Sequence, residues 1–314
     1  MTDQITIHSH PLFEEGLFAK HPSIFNAYFQ NTPEYLKKKY RGTQKKLFQN
    51  EGNVTWPLIV GPGFSGATHP GAGKIFSDIM VGLTTPVHNS DCLYANPSKR
   101  IFAISDPPGI TTVARKLIKR LDRYIQTQPI DNLEITINKL NKKTKLNDRA
   151  TLTMIHITQE KTESGSSKAV AFIAGDTYLF KGNLSDNTMI RIEGNPHFLG
   201  NPSIHFQPID IEFTEGDFFI IASDGISAIR SGHPDTSLGD TLSSYLNHNP
   251  ENFILNTMKG CNRIQEEHGT TSSRTWIGGS DNISVLLVNP DDLISNHTEK
   301  SFILGGYIGS SEAT

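Results

Sequence analysis

Short runs of apolar residues, most of them bounded by Gly, Pro, Asn or Asp, dominate the sequence from about residue 78 onward. Runs of this length with turn residues at their ends are typical of strands joined by tight turns. The predicted strands cover residues 79–83, 92–95, 101–104, 152–157, 169–174, 178–181, 189–192, 209–213, 218–222 and 283–288. Many short strands close together in sequence favour antiparallel sheets.

Helical patterns interrupt the strands at two places, each time as a pair. The first pair is predicted from a cap at Thr111 or Thr112 to Pro129 and over residues 131–143, and the second pair over 237–247 and 250–268. Gly269 is predicted to end the last helix. Because helices that pack outside antiparallel sheets produce an α+β sandwich, we predict two central antiparallel β-sheets flanked by pairs of α-helices.

The charge and composition of the chain indicate which binding partners and which cellular compartment to expect. The formal net charge of -3 over 314 residues gives no electrostatic reason to expect nucleic acid or an anionic membrane as a partner. No apolar stretch approaches the length of about 20 residues that a membrane-spanning helix needs, and the first residues do not resemble a signal peptide. The two cysteines, Cys92 and Cys261, lack CxxC spacing, which fits a reducing compartment. A cytoplasmic protein is expected.

The amino-terminal part of the chain differs from the rest. It is rich in aromatic residues and contains a basic run at 37–41, which is compatible with a capping extension or with an arm that docks a protein partner. Residues 61–74 are rich in glycine without phosphate-loop spacing, and we predict a loop there. The expected organisation is an extension over residues 1–74 that packs on or docks beside the core, a main domain over 75–290 and a tail over 291–314.

Three aspartates each stand at one end of a strongly apolar run and beside a turn. Asp106 follows residues 101–105, Asp224 follows 219–223, and Asp281 precedes 283–288. Any one of them, like Asp176 in its Gly-Asp pair, is more typical of an ordinary turn. Several carboxylates brought together at one sheet edge, however, would supply the oxygen ligands that Mg²⁺ or Mn²⁺ prefers.

Taken in order along the chain, these segments resemble the motifs of the type 2C metal-dependent protein phosphatases, the PPM family. The matching segments are residues 89–93, 104–109, 174–180, 198–200, 223–225 and 279–285. The resemblance covers residues 75–290 and implies the fold of that family, with two central antiparallel sheets flanked by helices.

The resemblance also implies a reaction, which is hydrolysis of phosphoserine or phosphothreonine in a phosphorylated protein substrate. The attacking water would bridge two divalent cations, Mg²⁺ or Mn²⁺. Asp106 would bridge both ions, and the carbonyl of Pro107 would bind one of them. Asp224 and Asp281 would hold the other ion, while Asp91 would act in the outer shell through water.

Several positions depart from the family pattern. Ser90 replaces a glutamate that binds the second ion, so that the second metal site would be weak or empty. Pro86 replaces a phosphate-binding arginine, for which His88 is a nearby candidate substitute, and Pro107 and Pro108 replace a glycine and, in some members, a histidine acid. Three hypotheses therefore remain: an active protein phosphatase, a phosphatase-like binding protein with little or no activity, and a hydrolase of a small phosphorylated metabolite.

Overall fold

The computed structural model describes residues 4–11, 55–75, 88–163, 165–186, 188–230, 237–246, 252–268, 273–293 and 300–308. The strands are β1 (Thr6–Pro11), β2 (Thr55–Gly61), β3 (Phe64–His69), β4 (His88–Asn96), β5 (Ile101–Ser105), β6 (Leu152–Lys161), β7 (Ser167–Ala174), β8 (Tyr178–Asn183), β9 (Met189–Ile192), β10 (Ile209–Phe213), β11 (Asp217–Ala222), β12 (Ile264–His268), β13 (Ser273–Ile277), β14 (Ile283–Val288) and β15 (Phe302–Ile308). The helices are α1 (Val113–Thr127), α2 (Leu133–Lys143), α3 (Leu238–Leu246) and α4 (Phe253–Cys261).

The strands form two large antiparallel sheets and one separate hairpin. The seven-stranded sheet has the order β1-β2-β3-β14-β11-β8-β9, and the six-stranded sheet has the order β10-β7-β6-β5-β4-β15. Helices α1 and α2 pack outside the six-stranded sheet, and α3 and α4 pack outside the seven-stranded sheet. The predicted α+β fold with two central antiparallel sheets flanked by helix pairs is confirmed.

The alternation of side chains along each strand explains why the central strands are apolar throughout. In β11, Phe219 and Ile221 pack between the two sheets, whereas Ile220 and Ala222 pack against the helical layer. In β5, Phe102 and Ile104 face the other sheet in the same way. Both faces are therefore buried, and each fully buried side chain of this size contributes about 1.5–3 kcal/mol to stability.

Most of the predicted strands and helices are confirmed. The Ser237 hydroxyl caps α3 by accepting a hydrogen bond from Asp240 N at 3.0 Å. The side chain of Thr112, at the cap position of α1, makes no such bond, and the preceding Thr111 hydroxyl instead accepts one from Val113 N at 3.2 Å. These bonds satisfy amide groups that have no partner within the first turn of a helix. The predicted strand at 79–83 lies outside the described residues.

The helix predicted for residues 250–268 is wrong beyond Cys261. Both the backbone and the side-chain amide of Asn262 donate to the Met258 carbonyl, at 3.1 and 2.8 Å, and the helix ends there. Residues 264–268 then form β12, which pairs with β13 to make the separate hairpin. The backbone groups of this segment are thus satisfied by a partner strand and not by a continued helix.

The loop predicted for residues 61–74 is wrong over residues 64–69, which form β3 beside β14 in the seven-stranded sheet. Position 66 has no room for a side chain, because a Cβ atom there would lie 2.5 Å from Leu286 and 2.9 Å from Leu93. At the other end of the chain, β15 pairs with β4. The two sheets therefore extend beyond the predicted range of 75–290 on both sides.

The aromatic residues and the basic run that distinguish the amino-terminal part of the sequence fall within residues 12–54, outside the described residues. No helix in the described part of the chain is both long and apolar enough to cross a membrane.

Candidate metal centre

The four predicted aspartates come from both sheets and meet at one end of the sandwich. Asp91 lies on β4 and Asp106 follows β5, whereas Asp224 follows β11 and Asp281 precedes β14. The cavity between these strand ends has a volume of about 290 Å³. Its lining consists of Lys74, Asp106, Pro107, Pro108, Gly109, Thr151, Asp176, Phe198, Asp224, Asp281 and Asn282.

Asp106 is held in place by Thr151, the residue that precedes β6. Its backbone amide donates to the Thr151 hydroxyl at 2.8 Å, and its carbonyl accepts from the Thr151 amide at 2.8 Å. The hydroxyl of Ser105 donates to the Thr151 carbonyl at 2.7 Å. Asp106 and the buried Pro107 that follows it are therefore fixed at the cavity wall by three hydrogen bonds to a single residue.

Asp91 lies deeper in the sandwich, with an exposed fraction of 1 %. Burial raises the pKa of its carboxyl group, and the nearby side chains of Ser223, Asp106 and Ser284 act to lower it. Among the described residues, its Oδ2 atom has no hydrogen-bond partner. A buried carboxylate oxygen without a donor is costly, so that this position favours a proton or a cation nearby.

The cluster changes the acidity of its own members. Burial, together with the charges of Asp91 and Asp224, raises the pKa of Asp106 well above its usual range. Burial also raises the pKa of Asp91, and burial and the charge of Asp281 raise the pKa of Asp224. Carboxyl groups that repel one another in a partly dry site compete for protons, and a divalent cation would relieve the same repulsion.

We expect the protein in EDTA to lose stability as the pH rises from about 4 towards neutral. An unfolded aspartate has a pKa of about 3.9, so that above this pH the folded cluster binds more protons than the unfolded chain and the free energy of unfolding falls. Urea unfolding at several pH values measures the slope. Asp91→Asn removes one ionisable member of the cluster and should make the slope shallower, whereas an unchanged slope would contradict this account.

Asp281 is engaged by a positively charged side chain. Lys74 Nζ donates to Asp281 Oδ1 at 2.6 Å, and Asn282 N donates to the same oxygen at 2.8 Å. The Asp281 side chain is 55 % exposed, whereas that of Lys74 is 18 % exposed. The carboxylate that the family resemblance predicts to bind a metal ion is therefore already paired with an ammonium group.

Asn282 fixes the position of Asp281 by joining three segments of the chain. Its Oδ1 accepts from Ser90 N at 2.9 Å, and its Nδ2 donates to the carbonyls of Pro70 at 2.9 Å and His88 at 3.2 Å. The buried amide thus ties the beginning of β14 to β4 and to the segment that follows β3.

The positions that depart from the family pattern have other contacts or fall outside the site. The hydroxyl of the buried Ser90 accepts from Thr111 N at 3.2 Å and so fastens the loop before α1. His88 is buried at the start of β4 and does not line the cavity as far as the described residues define it. Pro86 lies outside the described residues.

Two residues that line the cavity had no functional role in the sequence-based prediction. Asp176, predicted to be a turn residue, lines the cavity, and its charge contributes to raising the pKa of Asp224. Its Gly-Asp pair lies in a segment that matches a motif of the family, and this match could have indicated that Asp176 belongs to the site. Lys74 had no comparable signal, since it lies 207 residues from Asp281 in the sequence.

The chemistry of part of this cluster fits a divalent cation. Asp106 and Asp224 both line the cavity and lie close enough to affect each other's pKa, and Asp91 offers a buried oxygen without a donor among the described residues. Within the described ranges, however, no three His, Cys, Asp or Glu side chains are grouped closely enough to ligate one ion together. Because Mg²⁺ commonly binds through one or two carboxylates and keeps several waters, these residues fit such an ion better than a cage of protein ligands.

Comparison with known proteins gives structural neighbours only. No protein-family model matches the chain, and no curated protein is significantly similar to it in sequence. PppA, a key regulatory component of T6SS in Pseudomonas aeruginosa, is similar in structure with a TM-score of 0.49 at 14% identity, over 72% of this chain and 96% of that chain. The catalytic domain of the serine/threonine protein phosphatase PstP, in complex with two manganese ions, is similar with a TM-score of 0.48 at 16% identity, over 72% of this chain and 96% of that chain. RsbX in complex with magnesium is similar with a TM-score of 0.49 at 16% identity, over 74% of this chain and 98% of that chain.

Proposed function

We propose that this chain is a divergent PPM phosphatase that hydrolyses phosphoserine or phosphothreonine in proteins with the help of Mg²⁺ or Mn²⁺. The observation that carries the proposal is the meeting of Asp106 and Asp224, from the two sheets, in the lining of one cavity, with Asp91 buried beside them. Burial, together with the charges of Asp91 and Asp224, raises the pKa of Asp106 there. A volume of about 290 Å³ lies at the small end for ligand pockets and suits a phosphorylated side chain better than a large metabolite.

In this proposal each residue of the cluster has a distinct part. Asp106 and Asp224 hold the cation, the carbonyl of Pro107 is a further candidate ligand, and Asp91 compensates charge from behind. A divalent cation in such a site acidifies water and neutralises the oxygens of a phosphoryl group. Thr151 fixes the backbone of Asp106 through two hydrogen bonds and so places the residue at the cavity.

The proposal is tested by hydrolysis of p-nitrophenyl phosphate and of a phosphothreonine peptide in the presence of Mn²⁺. We expect turnover of both substrates, a loss of about a hundredfold or more in EDTA, and recovery when Mn²⁺ is added back, because the residues alone supply no comparable stabilisation of phosphoryl charge. If neither substrate is hydrolysed with Mn²⁺ or Mg²⁺, the enzymatic proposal is wrong.

A phosphatase-like binding protein is the second candidate, and two contacts favour it. Lys74 pairs with Asp281, which was expected to hold an ion together with Asp224, and Thr111 uses the hydroxyl of Ser90, which replaces the glutamate of the second ion. Such a protein would bind a phosphorylated partner without turning it over. Calorimetric binding of the phosphothreonine peptide without release of phosphate would identify it.

A further inference from the structure

The backbone of Lys74 is held against the segment that precedes β14. Gly73 N donates to the Gly278 carbonyl and Lys74 N donates to the Gly279 carbonyl, each at 2.8 Å. Ile75, the next residue, is fully buried and packs in the core between the seven-stranded sheet and its helices. The chain is therefore fixed on both sides of the Lys74 side chain, which extends from a rigid point at the wall of the cavity.

Lys74 brings a positive charge to an acidic cavity. In the described lining, it is the basic side chain among Asp106, Asp176, Asp224 and Asp281. Its side chain is only 18 % exposed, so that water screens its charge less than that of an ordinary surface lysine. A phosphoryl group that enters this cavity brings negative charge towards four carboxyl groups, and it needs positive charge beside it to bind.

We propose that Lys74 binds the phosphoryl group of the substrate, with Nζ donating a hydrogen bond to a phosphoryl oxygen. An ammonium group has three donors, and the bond to Asp281 Oδ1, 2.6 Å long, uses one of them. Lys74 can therefore donate to a phosphoryl oxygen while Asp281 still holds its ammonium group at the cavity. The inference rests on the proposed function for its choice of ligand, since it assigns a binding residue to the same site.

His88, the candidate substitute for the phosphate-binding arginine in the sequence, is less suited to this role. It is buried, with an exposed fraction of 1 %, and does not line the cavity as far as the described residues define it. Lys74 lines the cavity, and its side chain is partly exposed there. Its ammonium group also supplies a full positive charge, which is what a lysine contributes to a phosphate site.

The test measures binding of inorganic phosphate to the full chain by isothermal titration calorimetry at a fixed, saturating concentration of Mg²⁺. Lys74→Met, which removes the charge and keeps most of the length, should weaken phosphate binding about tenfold to a hundredfold, because a hydrogen bond from a charged donor is lost. Lys74→Arg, which keeps a charged donor, should stay within about fivefold of the parent. Lys142→Met, the same replacement at an exposed position on α2, should bind phosphate as the parent does.

Titration of Mg²⁺ alone distinguishes phosphate binding from a purely structural role of Lys74. Loss of a positive charge beside the acidic cluster should make Lys74→Met bind Mg²⁺ more tightly than the parent, although it binds phosphate more weakly. If Lys74 only held Asp281 in position, Lys74→Met would bind both ions more weakly, and the inference would be wrong. Far-ultraviolet circular dichroism checks that Lys74→Met is folded, and Lys74→Gln replaces it in both titrations if it is not.

Failure of this inference and failure of the proposed function give different results. Hydrolysis of p-nitrophenyl phosphate by the parent, together with parental phosphate affinity in Lys74→Met, would overturn the role of Lys74 and leave the proposed function in place. Phosphate binding that depends on Lys74, without hydrolysis of either substrate, would contradict the enzymatic proposal and support the role of Lys74. Absence of phosphate binding by the parent would overturn the role of Lys74.

Discussion

Asp224→Asn is expected to lower kcat/KM for p-nitrophenyl phosphate about a thousandfold at saturating Mn²⁺, which corresponds to about 4 kcal/mol of transition-state stabilisation. The replacement keeps the shape of the side chain and removes one of the carboxylates proposed to hold the cation. It also removes a charge from a cluster in which burial and repulsion raise the pKa of Asp224. The variant should therefore be folded, so that the loss reports on the site and not on unfolding.

The matched control is Asp210→Asn, the same replacement at an exposed position on β10, the edge strand of the six-stranded sheet. Its kcat/KM should equal that of the parent within a factor of about two, as surface substitutions away from special features have small effects. If Asp224→Asn retained more than about a tenth of the parental kcat/KM, Asp224 would not be part of the reacting site.

The central strands were predictable from the sequence because their signal is local. Runs such as Phe218–Ala222 are apolar at every position, since one face packs on the other sheet and the opposite face packs on helices. Turn residues then mark where each run ends. The same two signals placed Asp106 and Asp224 at strand ends, and strand ends on one side of a sandwich lie close together.

The elements that were predicted wrongly depend on distant parts of the chain. Residues 64–69 contain a glycine that suggested a loop, but Gly66 is small because Leu93 and Leu286 pack against it from the two sheets. Residues 264–268 contain Gln and Glu, which favour helices, yet they pair with residues 273–277 as a hairpin. In both cases contacts with residues distant in the sequence override the local preference, and the local sequence does not reveal these contacts.

The pairing of Lys74 with Asp281 could not be predicted for the same reason. Nothing near residue 74 marks it as part of an acidic cavity. The pairing of β3 with β14, together with backbone hydrogen bonds from Gly73 and Lys74 to Gly278 and Gly279, brings the two segments together. The family resemblance assigned Asp281 to a metal ion, whereas the structure shows its carboxylate hydrogen-bonded to an ammonium group. Local motifs thus identify the acidic members of the site, and the fold supplies the compensating charge.

The turn that leads from β3 to Lys74 depends on Gly71. Its φ of +80° lies in the left-handed region that side chains disfavour. A Cβ atom at this position would lie 2.1 Å from the Asp281 carbonyl oxygen and 2.7 Å from that of Gly279. Because both obstacles are backbone atoms, neither can move aside without shifting the segment that carries Asp281.

Gly71→Ala is therefore expected to lower the free energy of unfolding by about 3 kcal/mol, the sum of left-handed strain and a backbone clash. Urea unfolding in EDTA measures the loss without any contribution from bound metal. The control is Gly165→Ala, where φ is +86° and, within the described part of the chain, no atom other than those of adjacent residues lies within 4 Å of the added Cβ. That variant should lose only about 1 kcal/mol, from strain alone. Equal losses in the two variants would show that the close packing of Gly71 on Asp281 contributes nothing to stability.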